Sequence, residues 1–304
     1  MGMPKKRLRE EVEVVSEEPL ILVFPAFVDE QQCARLLSLA RQAEIGGYGA
    51  ERSGPLLFAR TAAEQRLIDE IEERLGAITG CPPHADEEAL NHMRQPRAPP
   101  PPPGHERWHR PFVAKRFPNG LHVDTNGGLA RRHASALLYL STPGAGGQTV
   151  FPLAGARSDS AREGALAASR VLLRDGVYHT GNSLRACARA AERPLESTPS
   201  TSSSPRHAAH ASSEHGGIAV RAHAGSLLVF WTRTADGIDP CSFHAGEALR
   251  HDAPQEKWLL RKFKEVPPEV FADTEQLREF VAASRRPWTT SARVKAEDNH
   301  HDTS

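Results

Sequence analysis

The stretch "GLHVDTNGG", residues 120 to 128, sets a histidine and an aspartate two positions apart and then runs into glycines. Alternate side chains of an extended strand point to the same side, so His122 and Asp124 can offer an imidazole and a carboxylate to one point in space. The spacing alone decides nothing, because His84-Ala85-Asp86 and His300-His301-Asp302 repeat it elsewhere in the chain. The order of the segments around it carries the reading.

Upstream, "LILVFPAF" (20–27) is apolar, β-branched and stopped by proline, which predicts a buried strand. "DEQQCARLLSLARQAE" (29–44) starts acidic and spaces Cys33, Leu36, Leu37 and Ala40 as one helical face. "AAEQRLIDEIEERLGAITG" (62–80) predicts a second amphipathic helix, with Leu67, Ile68, Ile71, Leu75 and Ile78 as its stripe and Gly80 at the C-cap. Downstream the pattern changes to short strands separated by turns: "FVAKRF", "ASALLYLS", "QTVFPL", "GIAVRAH", "SLLVFW", "CSFH" and "KWLLRKF". Helices first and strands afterwards predict an α+β domain, an antiparallel β core with the N-terminal helices packed on one side.

The chain divides accordingly. Residues 1–17 read as a charged, disordered leader, 18–266 as the folded domain, and 267–304 as a C-terminal helix and disordered tail. Residues from about 155 to 217, ending in "ESTPSTSSSPRHAAHASSEHGG", read as an insertion whose Ser, Pro and small-residue bias suits disorder. The 38 basic and 38 acidic residues balance, so no bulk field points to nucleic acid or an anionic membrane. Cys33, Cys81, Cys187 and Cys241 are scattered and predict reduced, mostly buried thiols. Without an apolar leader or a span-length apolar run, the expectation is a cytoplasmic or nuclear protein. "PKKRLR" (4–9) reads either as a nuclear import signal or as a solvated basic tail.

Two histidines and a carboxylate can bind one face of Fe(II) and leave positions for a co-substrate and oxygen. His122 and Asp124 supply the first pair, and "CSFHAGEALRHDAPQEKWLLRKF" offers His244 as a distant third ligand. Lys257 in the same segment could pair with a dicarboxylate co-substrate through a charge-assisted hydrogen bond. A competing signal is "HERWH", His105, Glu106 and His109, which fits the HExxH pattern of zinc hydrolases. That pattern needs a stable helix, and here five prolines and a glycine precede it and "RP" follows. His207, His210, His215 and His223 read as members of a solvated, Ser-rich loop.

In order, "GLHVDTN", "SALLYLSTPGAGGQTVFPL", "AGSLLVFWTR", "SFHAGEAL" and "EKWLLRKF" resemble the Fe(II)/2-oxoglutarate-dependent dioxygenases of the prolyl 4-hydroxylase type. "PLILVFPAFVDEQQCARLLSLA" is similar to the strand and helix that open that family, so the resemblance covers 18–266 apart from the insertion. It implies a double-stranded β-helix (jelly-roll) core. It also implies His122, Asp124 and His244 as ligands of Fe(II), and Lys257, followed by Trp258, on the 5-carboxylate of 2-oxoglutarate. Gly146-Gly147-Gln148-Thr149 stands where the family has Gly-Gly-Glu-Thr, with Phe151-Pro152 completing that motif.

Three departures stand out. The gap from His244 to Lys257 is longer than usual, which leaves Arg261, on the same strand face, as a rival anchor. The tyrosine that usually precedes the His-x-Asp strand is missing; Phe117 lies nearest, and Tyr139 reads as core. The resemblance implies that the insertion falls near the site entrance. The implied activity is hydroxylation of a substrate C–H by O2, with 2-oxoglutarate converted to succinate and CO2 and ascorbate as an accessory. The implied substrate is a prolyl residue in a proline-rich peptide or protein. The alternatives are a free amino acid or other small molecule, and a module that kept the barrel but lost turnover.

Overall fold

The computed structural model describes residues 11–46, 50–51, 54–97, 120–125, 131–155, 160–178, 210–212 and 217–289. In chain order the principal elements are β1 (Glu13–Glu17), β2 (Leu20–Phe24), α1 (Glu30–Gly46), α2 (Ala62–Thr79), β3 (Asn91–Gln95) and β4 (Arg132–Tyr139). They continue with β5 (Thr149–Phe151), α3 (Ser160–Arg174), β6 (His210–Ser212), β7 (Ile218–Val220) and β8 (Leu227–Trp231). The last are β9 (Ala245–Gly246), β10 (Lys257–Glu265), α4 (Pro268–Ala272) and α5 (Thr274–Arg285).

The strands form a six-stranded sheet in the order β1-β2-β8-β4-β10-β3 and a four-stranded sheet in the order β9-β5-β7-β6. Every pairing within both is antiparallel. The large sheet is covered on both faces. Leu20, Leu22, Leu138, Leu227, Val229 and Leu260 face Leu36, Leu39, Ile71 and Leu75 of α1 and α2. Residues of opposite phase, among them Ile21, Val23, Leu137, Tyr139, Leu228, Phe230 and Leu259, pack against Phe151, Ile218 and Val220 of the small sheet. Burial on both sides is why "LILVF" and "LLVFW" lack polar alternation. Each fully buried aliphatic side chain contributes roughly 1.5–3 kcal/mol to that packing.

Helix α2 shows how the sequence sets its own limits. Thr61 Oγ1 accepts the Glu64 N–H at 3.2 Å, and the Glu64 carboxylate accepts the Thr61 N–H at 2.9 Å, closing a capping box. At the far end Gly80 takes φ 64°, and a Cβ there would stand 3.0 Å from Ser284 of α5. The expected stripe Leu67, Ile68, Ile71, Leu75 and Ile78 is buried. Cys33, Cys81 and Cys241 are buried free thiols, as expected; Cys187 lies outside the described residues.

The structure departs from the sequence expectations in four places. β1 lies inside the segment read as a leader; its valines pack inward and its glutamates mark a charged sheet edge. Helix α3 and strand β6 lie inside the stretch read as a structureless insertion. "SAREGALAASRVLLR" is rich in strong helix formers, and Leu166, Leu172 and Leu173 give it a face to bury. The first half of "CSFH" belongs to a 3-10 turn over Pro240–Ser242, because Asp239 caps the Cys241 N–H at 2.9 Å and Pro240 fixes the first turn, and the extended pairing begins only at His244. β3, "NHMRQ", has no β-branched residue and forms because β10 supplies its ladder. "FVAKRF", "HERWH", Phe117 and the proline run lie outside the described residues. No helix among the described residues is long and apolar enough to cross a membrane.

Candidate active site

His122 and His244 come together through their backbones. Each donates its N–H to the other's carbonyl, at 3.0 Å and 2.9 Å, forming an isolated antiparallel bridge. This sets the two imidazole rings 4.4 Å apart, centroid to centroid. His122 Nδ1 lies 3.1 Å from the Gly120 carbonyl and His244 Nδ1 lies 3.0 Å from the Ser242 carbonyl. A carbonyl oxygen only accepts, so both Nδ1 atoms carry a proton, and in the neutral ring each Nε2 presents a lone pair.

Those lone pairs face one carboxylate. Asp124 Oδ1 stands 3.5 Å from His122 Nε2, and Oδ2 stands 3.5 Å from His244 Nε2. These separations exceed N–H···O hydrogen bonds. They suit three donors sharing an ion, since bonds of about 2.1 Å set at right angles leave donors about 3 Å apart. Ligand atoms of all three residues lie within 4.8 Å of one another. Ser135, fully buried on β4, donates its hydroxyl to Asp124 Oδ2 at 2.7 Å. Burial pushes the Asp124 pKa up, but His244, His122, the Ser135 hydroxyl and Arg261 outweigh it and bring the carboxyl down to about 2. The set is two imidazoles and a carboxylate, the donor chemistry that suits Fe(II) with open positions.

The packing around this point fixes the rings. Phe230 and Phe151 lie 4.6 Å and 5.5 Å from the His244 ring. On the other side, Leu166 of α3 joins Leu121, Val123 and Phe243 in one buried cluster, and the Val123 N–H donates to the Tyr178 carbonyl at 2.9 Å. The segment between α3 and Tyr178 is therefore wedged against the residues next to both histidines.

The two candidate anchors share the inner face of β10. Lys257 is 3% exposed, donates to the Gly147 carbonyl at 2.6 Å and stands 5.2 Å from the Tyr139 ring centre. The Tyr139 hydroxyl lies 2.8 Å from Thr149 Oγ1. An ammonium, a phenol and an alcohol thus converge where the chain is otherwise apolar. Burial lowers the Lys257 pKa to about 8 against the opposing pull of Glu247, and burial raises that of Tyr139. Gly147 has φ 72°, and a Cβ there would meet Leu249 Cδ2 at 2.5 Å and Lys257 Cδ at 3.5 Å. Arg261, partly buried, donates from Nε to Asn91 Oδ1 at 3.1 Å and lies 4.8 Å from the Phe263 ring centre. Burial lowers its pKa, and Asp124 opposes that effect.

The rival His84-Ala85-Asp86 triplet resolves differently. Cys81, His84 and Glu87 converge, but Glu87 pairs with Lys264 at 2.6 Å and Lys262 at 3.4 Å. His84 Nε2 lies 2.8 Å from the Glu265 carbonyl, and burial pushes the Cys81 thiol up to about 12. Protein cations already neutralise that cluster. His105, Glu106 and His109 lie outside the described residues.

Ser135, Tyr139, Thr149 and Asn91 were not identified as site residues from the sequence. Ser135 and Tyr139 occupy the inward phase of β4, where a hydroxyl in an apolar strand was the available signal. Asn91 was hidden because β3 itself was.

No family model matches the chain. Among curated proteins, the chain is 25% identical over 277 residues to "Probable prolyl 4-hydroxylase 10" of Arabidopsis thaliana, covering 84% of this chain and 72% of that one. It is 27% identical over 155 residues to "Probable prolyl 4-hydroxylase 8" of the same organism, covering 47% of this chain and 48% of that one. Among solved structures, the viral collagen prolyl hydroxylase of Paramecium Bursaria Chlorella virus-1, in its 2-oxoglutarate complex, aligns at TM-score 0.44 and 13% identity. That alignment covers 83% of this chain and 99% of the other. HygX of Streptomyces hygroscopicus, with nickel and 2-oxoglutarate bound, aligns at TM-score 0.37 and 12% identity over 86% of each chain. The resemblance read from the motifs is matched by curated relatives named as prolyl 4-hydroxylases. Together with the converging His122, Asp124 and His244, these likenesses support a 2-oxoglutarate-dependent dioxygenase.

Proposed function

We propose that the protein hydroxylates a substrate C–H with O2, using Fe(II) and 2-oxoglutarate and releasing succinate and CO2, and that the acceptor carbon belongs to a prolyl residue of a peptide or protein. The observation that carries the reading is the convergence of His122 Nε2, His244 Nε2 and Asp124, with both Nδ1 protons held by backbone carbonyls. The prolyl acceptor is supported by the names of the curated relatives. The two packed antiparallel sheets are taken as the walls of a jelly roll.

When bound, Fe(II) and 2-oxoglutarate supply the oxygen chemistry: one oxygen atom of O2 goes to the substrate and the other to succinate. The chain supplies position and charge. His122, His244 and Asp124 would hold the metal, and Ser135 keeps the Asp124 carboxylate turned toward the two histidines. Lys257 meets the 5-carboxylate, with the Tyr139 and Thr149 hydroxyls beside it as further donors. An anion arriving there gives the buried ammonium a partner and draws its pKa back up from about 8. Phe151, Phe230 and Leu259 keep the inner wall dry.

The test is succinate formation from 2-oxoglutarate under air with Fe(II), alone and with proline-rich peptides, in wild type and in the His122→Ala and His244→Ala variants. The expected result is succinate in wild type, more with peptide, and none in either variant. Metal-loaded wild type that makes no succinate under any of these conditions would refute the activity. Equal succinate in the variants would refute the ligand set.

A further inference from the structure

β10 carries two cations on its inner face, and only one of them sits among the hydroxyls of Tyr139 and Thr149. Lys257 and Arg261 are four residues apart, about 13 Å of extended chain. Arg261 lies at the metal end. It and Asp124 act on each other electrostatically, and its ladder partner on β4, Leu137, is two residues from Ser135, which binds Asp124. The charged groups that bear on it are Asp124, Glu88 and Arg132; Glu88 pairs with Arg132, and Asp124 is engaged by Ser135 and the two histidines.

Among the described residues, the one side-chain hydrogen bond that Arg261 makes is to a neutral acceptor, Asn91 Oδ1. A guanidinium has five N–H donors, so a single amide acceptor leaves most of them open to an arriving anion. Asn91 points to the same vacancy in the hydrogen bonding. It is fully buried, yet its Nδ2 has no hydrogen-bond partner, which is rare for a buried amide. Register sets Asn91 directly opposite Arg261 on the β3–β10 ladder, so both side chains project from one face. A planar guanidinium and an amide N–H side by side form a fork for a carboxylate.

We propose that Arg261 and Asn91 form an anion subsite next to the metal ligands, and that the substrate carries a carboxylate close to the carbon that is hydroxylated, as a C-terminal prolyl residue of a peptide does. The inference rests on the dioxygenase reading above and narrows its substrate class. The same carboxylate chemistry could instead come from the 1-carboxylate of 2-oxoglutarate, and the test separates the two sources.

The probe is acetate. Protein loaded with Mn(II) and 2-oxoglutarate is titrated with [13C]acetate, and paramagnetic relaxation of the acetate carbon reports binding near the metal, while calorimetry gives the 2-oxoglutarate Kd. The expected result is saturable relaxation in wild type, with acetate binding at least tenfold weaker in Arg261→Gln. The 2-oxoglutarate Kd should stay within threefold of wild type in Arg261→Gln and rise at least tenfold in Lys257→Met. Asn91→Asp, which gives Arg261 an internal carboxylate, should also abolish acetate binding, in protein whose urea unfolding matches wild type.

Acetate relaxation that does not saturate, or is unchanged in Arg261→Gln and Asn91→Asp, would overturn the subsite. A 2-oxoglutarate Kd weakened as much by Arg261→Gln as by Lys257→Met would reassign Arg261 to the co-substrate and overturn the substrate inference. Failure of wild type to bind Mn(II) or 2-oxoglutarate would instead sink the dioxygenase reading, and the subsite with it.

Discussion

Replacing Ser135 with alanine should weaken metal binding without touching a ligand. The Ser135 hydroxyl gives Asp124 Oδ2 a 2.7 Å hydrogen bond in a site where both residues are buried. A hydrogen bond to a charged group contributes about 1.5–3 kcal/mol. Second-sphere partners of metal ligands typically tune affinity by about ten- to a hundredfold, equivalent to ~1.4–2.7 kcal/mol. Two independent routes thus give the same range. In Ser135→Ala the carboxylate loses the contact that holds its rotamer, so part of the cost falls on the apo protein as well. The assay is calorimetric titration of apo wild type, Ser135→Ala and Ser135→Cys with Co(II) at neutral pH, beside urea unfolding of each apo protein. Ser135→Ala is expected to bind Co(II) about ten- to a hundredfold more weakly. The weak thiol donor of Ser135→Cys should recover only part of that loss. A Kd within twofold of wild type, in a protein that unfolds normally, would refute the claim that Ser135 sets the Asp124 carboxylate.

Further outcomes follow from the same geometry. Because burial holds the Lys257 ammonium near a pKa of about 8, 2-oxoglutarate affinity should fall as pH rises through about 8, and this dependence should vanish in Lys257→Met. Folding stability has the opposite sign there: the unfolded lysine keeps its proton up to about 10.5, so between about 8 and 10.5 Lys257 makes the protein more stable as pH rises, which pH-stepped urea titrations can read. Gly80→Ala forces a Cβ into φ 64° and against Ser284, and should cost about 1–2 kcal/mol in chemical unfolding while leaving the metal Kd unchanged. Leu166→Ala empties part of the cluster that backs Leu121, Val123 and Phe243; it should destabilise by about 2–5 kcal/mol and weaken Co(II) binding with it. Co(II) affinity unmoved by Leu166→Ala would show that α3 does not support the ligands.

The parts that were readable in the sequence are those where local signals and tertiary demands agree. The stripe on α2 and its Gly80 stop are set by periodicity and backbone chirality, which need no partner to be recognised. His122, Asp124 and His244 were found because motif order linked distant segments, and the structure brings their ligand atoms together. β3 escaped because "NHMRQ" is a strand only by virtue of the β10 ladder, and Asn91 escaped with it. Tyr139 was assigned to the core on its surroundings, and only its approach to Thr149 and Lys257 marks it as more. Helix α3 was lost in a compositional average, since the Ser-rich residues that follow it outweigh its Ala, Leu and Arg.

The backbone bridge between His122 and His244 has a consequence for how the protein matures. The two residues come from opposite halves of the chain, so the contact has high sequence separation and its loop must close before it forms. β5, α3, β7 and β8 all lie between them in the chain. A nascent chain that stops short of His244 has two of the three proposed ligands and no clamp. On the proposed reading, metal uptake would be a late event that reports completed folding, and loss of that one rung by local opening would free the ion while most of the sheet stays intact. An ion present at a hundred times its Kd would hold the rung shut with about 2.7 kcal/mol, making the apo protein the more proteolysis-prone form.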